Sequence, residues 1–136
     1  MQKYPFFFDY IYYCVTKTFY KRDGKFGVTG ILAIVMIQSF TVECLMALMI
    51  RIFATQNNRH DIGNAAYIAT LIVFIGFALL NINKYKDSYI TFKKHWNKET
   101  KMEAEIRGVL VFLAILTPIA LFIFLVSLGL PIDRED

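Results

Sequence analysis

Charge is scarce in this chain, and what there is stays crowded into a few short stretches. Asp, Glu, Lys and Arg make up 19% of the 136 residues against 57% hydrophobic ones, a balance too apolar for an ordinary soluble domain of this length. Cysteine is almost missing as well. Cys14 precedes the first apolar block and Cys44 lies inside it, so the pair gives no sign of an extracellular disulfide framework and reads as two packing thiols. Histidine is equally thin: His60 and His95 lie far apart, with no zinc spacing, phosphate-cradling glycine loop or nucleophile elbow beside them. His95 and Glu99, four residues apart, read as a solvated helix-face contact. Catalysis, a metal and a cofactor are therefore not expected. A cleavable leader is not expected either, because aromatic residues open the chain and no A-x-A-like site follows a short apolar run; the first apolar block should stay as an anchor.

What the chain has in quantity is unbroken apolar length. Blocks at 27–52, 62–82 and 108–130 hold almost no formal charge, and each reaches the roughly 20 helical residues that cross a hydrocarbon layer of ~30 Å. A soluble fold would need three wholly apolar helices with too little polar surface to cover them. The expected fold class is thus an all-α membrane protein with three transmembrane helices, an N-terminal interfacial amphipathic helix and a cytoplasmic helical hairpin extending helices two and three. Its segments are an aromatic and basic helix (1–26), transmembrane helix one (27–52), an outer loop (53–61), transmembrane helix two (62–82), a basic cytoplasmic segment (83–107), transmembrane helix three (108–130) and an outer acidic tail (131–136).

Orientation follows from lysine and arginine. Lys3, Lys17, Lys21, Arg22 and Lys25 precede the first block, and Lys84, Lys86, Lys93, Lys94, Lys98, Lys101 and Arg107 separate the second from the third. The other flanks hold little beyond Arg51, Arg59 and Arg134. The positive-inside rule places both rich segments in the cytoplasm, the N-terminus inside the plasma membrane and the C-terminus outside. The stretch from Tyr4 to Tyr20, dense in aromatic rings and followed by Lys21 and Arg22, suits the anionic inner headgroup zone. Asp23-Gly24 should end it.

The segment 83–107 contains neither proline nor glycine and should be helical, turning near Asn97 to Thr100, with Glu103 after Thr100 resembling a capping box. Tyr85, Tyr89, Phe92 and Trp96 recur as one aromatic stripe on it. Lys86, Lys93, Lys94, Trp96, Lys98 and Lys101 form a candidate surface for a cytoplasmic nucleotide, nucleic acid or protein ligand, or for anionic lipid, since exposed rings beside lysines serve stacking and charge alike.

Helix one carries Gln38, Ser39, Thr41 and Glu43 near its middle, where a carboxylate costs ~2.5 kcal/mol or more unless protonated, paired or wetted. At ~100° per residue Ser39 and Glu43 share one face, with Gln38 and Thr41 roughly opposite. Two polar faces imply contact with both the chain's own bundle and a neighbouring subunit or a water path. Glu43 reads either as a protonated acid held between helices or as one member of a carboxylate ring favouring cations. Arg51 should snorkel to the outer interface. Ala65, Ala69 and Gly76 give helix two a strip of small residues for close backbone approach. Pro118 in helix three marks a packing kink or a hinge.

The chain resembles the small multi-pass membrane effectors of bacterial anti-phage systems, such as the membrane channel subunit of Hailong-type systems. The likeness rests on size, helix count and the basic face, and it implies a gated oligomeric channel controlled by a cytoplasmic ligand made by a partner enzyme. The residues themselves point to a homo-oligomeric ion channel or pore-forming effector. The alternative is a non-conducting partner, such as an immunity protein or an accessory subunit.

Overall fold

The computed structural model describes residues 7–53 and 59–127. They form α1 (Phe7–Asp23), a single 3-10 turn (Gly24–Phe26), α2 (Val28–Phe53), α3 (Arg59–Tyr85), α4 (Tyr89–Trp96) and α5 (Lys101–Ser127). No strand occurs among the described residues. Three stretches within the long helices, Val28–Ile50, Asn64–Tyr85 and Lys101–Leu125, have mean hydropathies of 2.1, 2.2 and 2.8. The shortest has 22 residues, about 33 Å of helix, so each is long and apolar enough to cross a membrane. The outer loop falls largely, and the acidic tail wholly, outside the described residues, as does the Arg51 side chain.

Helix α2 is the middle member of this set. It packs against both α3 and α5, while those two barely meet. Residues two apart on α2 point to opposite sides, because 200° separates them on a helix. Gln38 accordingly reaches α3, where its Oε1 accepts a 2.6 Å bond from Asn81 Nδ2, while Phe40 meets Phe122 of α5 at 5.6 Å between ring centroids. Cys44, one turn beyond Phe40, points its thiol at the Pro118 carbonyl of α5, 3.6 Å away.

At the end of α2 where the basic segments gather, α1 folds back on the long helices. The α1–α2 corner falls at Asp23–Gly24, as the sequence implies, and has two glycines in the left-handed region, Gly24 at φ 59° and Gly27 at φ 60°, where residues with a Cβ are disfavoured. Asp23 then serves α2: its carboxylate accepts a 2.6 Å bond from the Thr29 amide, one of the orphan donors of the first turn. The buried side of α1 comprises Asp9, Tyr10, Ile11, Tyr12, Tyr13 and Thr16, and Ile11 and Tyr12 are wholly out of solvent. A Cβ on Gly30 would run into the Thr16 hydroxyl and come within 2.9 Å of the Tyr12 carbonyl.

The segment after α3 departs from the expected course. Instead of prolonging α3 to a turn near Asn97, the chain leaves the helix after Tyr85 and turns a corner at Asp87, whose φ is 62°. Aspartate is among the residues that tolerate this conformation. The corner lets Tyr85, at the end of α3, and Tyr89, at the start of α4, both stack on rings of α1. The second turn, at 97–100, carries the capping box: Glu103 Oε2 accepts from the Thr100 amide at 3.0 Å, and the Glu103 amide donates to Thr100 Oγ1 at 3.3 Å.

The Gly30 contact is directly testable. Gly30→Ala forces α1 and α2 apart and is expected to lower stability by about 1–3 kcal/mol, the usual penalty for overpacking. Gly108→Ala, whose added Cβ meets nothing within 4 Å, should leave the melting temperature in detergent unchanged. Equal melting of the two variants by circular dichroism would refute the α1–α2 contact.

Candidate functional site

Two carboxylates are buried where the long helices converge on α1. Asp9, 8% exposed, accepts a 2.7 Å bond from the Tyr85 hydroxyl and a 2.9 Å bond from Lys84 Nζ. Lys84 also donates to the Tyr85 oxygen at 2.9 Å, and its ammonium lies 4.6 Å from that ring's centroid. Glu99, in the α4–α5 turn, has a side chain only 6% exposed. It accepts from the Tyr10 hydroxyl at 2.9 and 3.1 Å and from Arg107 Nη1 at 3.0 Å. The Arg107 guanidinium lies over the Tyr10 ring, 5.4 Å from its centroid. A buried carboxylate persists as an anion only with such charge-assisted donors. Each one ties α1 to another element, Asp9 to the end of α3 and Glu99 to the start of α5.

Between these two points lies a wall of rings. Tyr12 stacks on Tyr85 at 4.9 Å, Tyr20 on Tyr89 at 5.0 Å, and Tyr10 meets Trp96 edge-on at 5.1 Å. The stripe of Tyr85, Tyr89, Phe92 and Trp96 therefore exists as read from the sequence, but it faces α1. Trp96 is correspondingly 9% exposed and turned away from the exposed lysines; the ring that was expected to stack on a ligand packs edge-on against Tyr10 and at a tilt against Tyr13 instead. Lys86, Lys93, Lys94, Lys98 and Lys101 are all exposed.

Ionisation at this end follows burial. Desolvation, the adjoining Cys14 and the bond to Glu99 push the Tyr10 hydroxyl far above the ordinary tyrosine range, so it stays a neutral donor. Burial likewise raises Tyr12 and Tyr89. Burial is the main cause that raises the Cys14 thiol; the hydrogen bond with Tyr10 opposes it, the Glu99 charge adds a smaller rise, and Lys17 and Arg107 oppose that in turn.

The polar residues of α2 are handled one by one. Gln38 is bonded to Asn81, whose amide also donates to the Phe77 carbonyl at 2.8 Å. Thr41 is exposed and returns its hydroxyl to the Ile37 carbonyl at 2.7 Å. Ser39 is 2% exposed with no hydrogen-bond partner for its hydroxyl among the described residues. Glu43 is half-buried, and no hydrogen bond or ion pair reaches its carboxylate among the described residues. It lies on the side of α2 that also carries Ser39, buried one turn earlier, and Met36, seven residues earlier and 41% exposed. In α5, Pro118 is buried within a continuous helix, and the preceding Thr117 donates its hydroxyl to the Leu113 carbonyl at 2.7 Å. Of the small-residue strip, Ala65 and Ala69 border a groove against α2, whereas Gly76 has open space around it.

Sequence reasoning missed Asp9, Asn81, Glu99 and Arg107 as structural polar groups. Asp9 was visible as the one acid amid the aromatic stretch, but nothing local names a partner 75 residues away. No family model, curated protein or solved structure matches the chain. The fold and these sites define an all-helical chain with three helices suited to a membrane, drawn together at one end by a buried ionic and aromatic cluster.

Cys14 reports on that cluster. In a Cys44→Ala background its raised pKa keeps the thiolate sparse, so maleimide should label it more slowly at pH 8 than a free cysteine peptide, with the rate still climbing above pH 9. Glu99→Gln removes a charge that raises the thiol and loosens α1, so labelling should speed up at every pH. Labelling of wild type at the peptide rate would show that α1 does not shield Cys14.

Proposed function

We propose that this chain is one subunit of a homo-oligomeric ion channel or pore-forming effector in the plasma membrane, gated from its basic cytoplasmic side. The observation that supports this reading is Glu43, a half-buried carboxylate near the middle of α2 with no hydrogen-bond or ion-pair partner among the described residues. Gln38 is bonded to α3 and Thr41 to its own helix, so Glu43 is the ionisable mid-helix group left without a partner among the described residues. Alone against lipid it costs ~2.5 kcal/mol or more. Repeated around a symmetry axis it faces water and favours cations.

The basic end supplies a lever. Helix α1 touches the starts of α2 and α5 and the end of α3 at once, through Gly30, Arg107 and Tyr85. A signal that displaces α1 must act on all three. Lysine and arginine bias puts that end in the cytoplasm. The resemblance to anti-phage membrane effectors adds the expectation of a ligand made by a partner enzyme.

A non-conducting partner is the second reading, and one feature favours it. An apolar groove between α2 and α3, lined by Val42, Met46, Met49, Ile62 and Ala69, has the character of a seat for another protein's helix.

Planar-bilayer recording tests the first reading. Wild type should pass cation-selective current, and Glu43→Gln should lower the cation-to-anion permeability ratio by roughly an order of magnitude, as loss of a charged ring does. An unchanged ratio removes Glu43 from the conduction path. Silent bilayers, together with a lone protomer in mild detergent, would favour the partner reading.

A further inference from the structure

A second groove between α2 and α3 lies at the basic end, with a volume of about 310 Å³. Its walls are Ile31 and Val35 of α2 and Ala78 and Ile82 of α3, with Phe26 and Lys86 at its mouth. Ala78, Ile82 and Lys86 are spaced four apart, and the Lys86 amide bonds the Ile82 carbonyl at 3.0 Å, so the helical course carries all three along one stripe. From Ala78 to Lys86 the stripe runs about 12 Å. The groove is therefore an apolar trough inside the membrane span with an ammonium group just past its end.

The charges at that mouth are few. Lys86 makes no ion pair among the described residues. Lys25 lies 3.9 Å from Asp87 and over the Phe26 ring at 5.6 Å. With the Asp87 carboxylate offsetting Lys25, the mouth keeps one net positive charge, carried by Lys86. An apolar trough that opens sideways at this depth is reached from the bilayer, and a cation at headgroup level selects among lipids by charge.

We propose that the groove holds one acyl chain of an anionic phospholipid whose phosphate is bound by Lys86. This goes beyond the channel reading and does not need it, because it rests only on α2 and α3 lying in a membrane. Conduction failing in bilayers leaves the site intact, and lipid binding failing leaves conduction open.

Native mass spectrometry of the full chain in mild detergent tests the site, using dioleoyl phosphatidylglycerol and dioleoyl phosphatidylcholine as probes. Wild type should take one anionic lipid per protomer with roughly fivefold preference over the zwitterionic one, the worth of about one lysine near a charged surface. Lys86→Gln, at an exposed position that should fold normally, should abolish the preference. Ala78→Phe, which fills the trough, should reduce binding of both lipids. Lys17→Gln, on the exposed side of α1 and away from the groove, should change neither. Equal binding of the two lipids by wild type, a preference surviving Lys86→Gln, or an equal loss in Lys17→Gln would overturn the site. Displacement of the lipid by glycerol phosphate would do so as well, since it would assign Lys86 to a soluble anion.

Discussion

Burial of Asp9 and Glu99 beneath the ends of the long helices constrains everything at that end of the molecule. A carboxylate removed from water must find donors, and here they come from Lys84 and Arg107, whose own side chains stay about half exposed so that water screens both pairs. The pairs themselves contribute little net stability, because desolvation cancels most of their attraction. The rings contribute more plainly: stacked or edge-on aromatic pairs are worth about 0.5–1.5 kcal/mol each beyond their buried area, and several lie between α1 and its neighbours. Aromatic burial therefore holds α1 in place, and the two ion pairs decide where it is held. Lys84 and Arg107 fix the register because any sliding of α1 strands a charge.

Beyond that end, the long helices have little of each other. Within their apolar spans 28% of α2 is buried, against 6% of α3 and 11% of α5, because α2 packs against both of the other long helices. In lipid, apolar burial between helices gives no drive, and close packing and interhelical hydrogen bonds must take its place. The Asn81–Gln38 bond supplies this on one flank of α2, and the Phe40–Phe122 contact on the other. Much of the apolar surface of α3 and α5 stays exposed, as at Ile68, Ile72, Leu79, Val109, Phe112 and Ile123.

The three long apolar runs were legible in the sequence because a run of that length has few other uses, and three long apolar helices carry them. The Thr100–Glu103 capping box was legible for a similar reason: its chemistry is completed within four residues. The aromatic stripe was legible as a periodicity but not as a contact. Spacing showed that Tyr85, Tyr89, Phe92 and Trp96 share a side, and it carried no information that the rings of α1 would cover them. The corner at Asp87 was hidden because one aspartate among good helix formers does not predict a break; stacking on α1 settles it. For the polar residues of α2 the sequence marked the problem, and Asn81 resolved one of them from a distance no local pattern reaches.

These features meet in how a disturbance at α1 can reach the middle of the membrane span. Glu43 lies 13 residues beyond Gly30 on α2, about 20 Å along the axis. Between them α2 has no glycine or proline at which to bend, so displacement of α1 is transmitted only if α2 shifts or turns as a rod. Its neighbours differ in this respect. In α5 the buried Pro118 has no amide to donate to the helix, and its carbonyl is the group that Cys44 touches, one residue from Glu43. If α2 shifts as a rod, the Cys44–Pro118 contact beside Glu43 is where it meets α5, one and a half turns beyond the Asn81–Gln38 bond from the basic end.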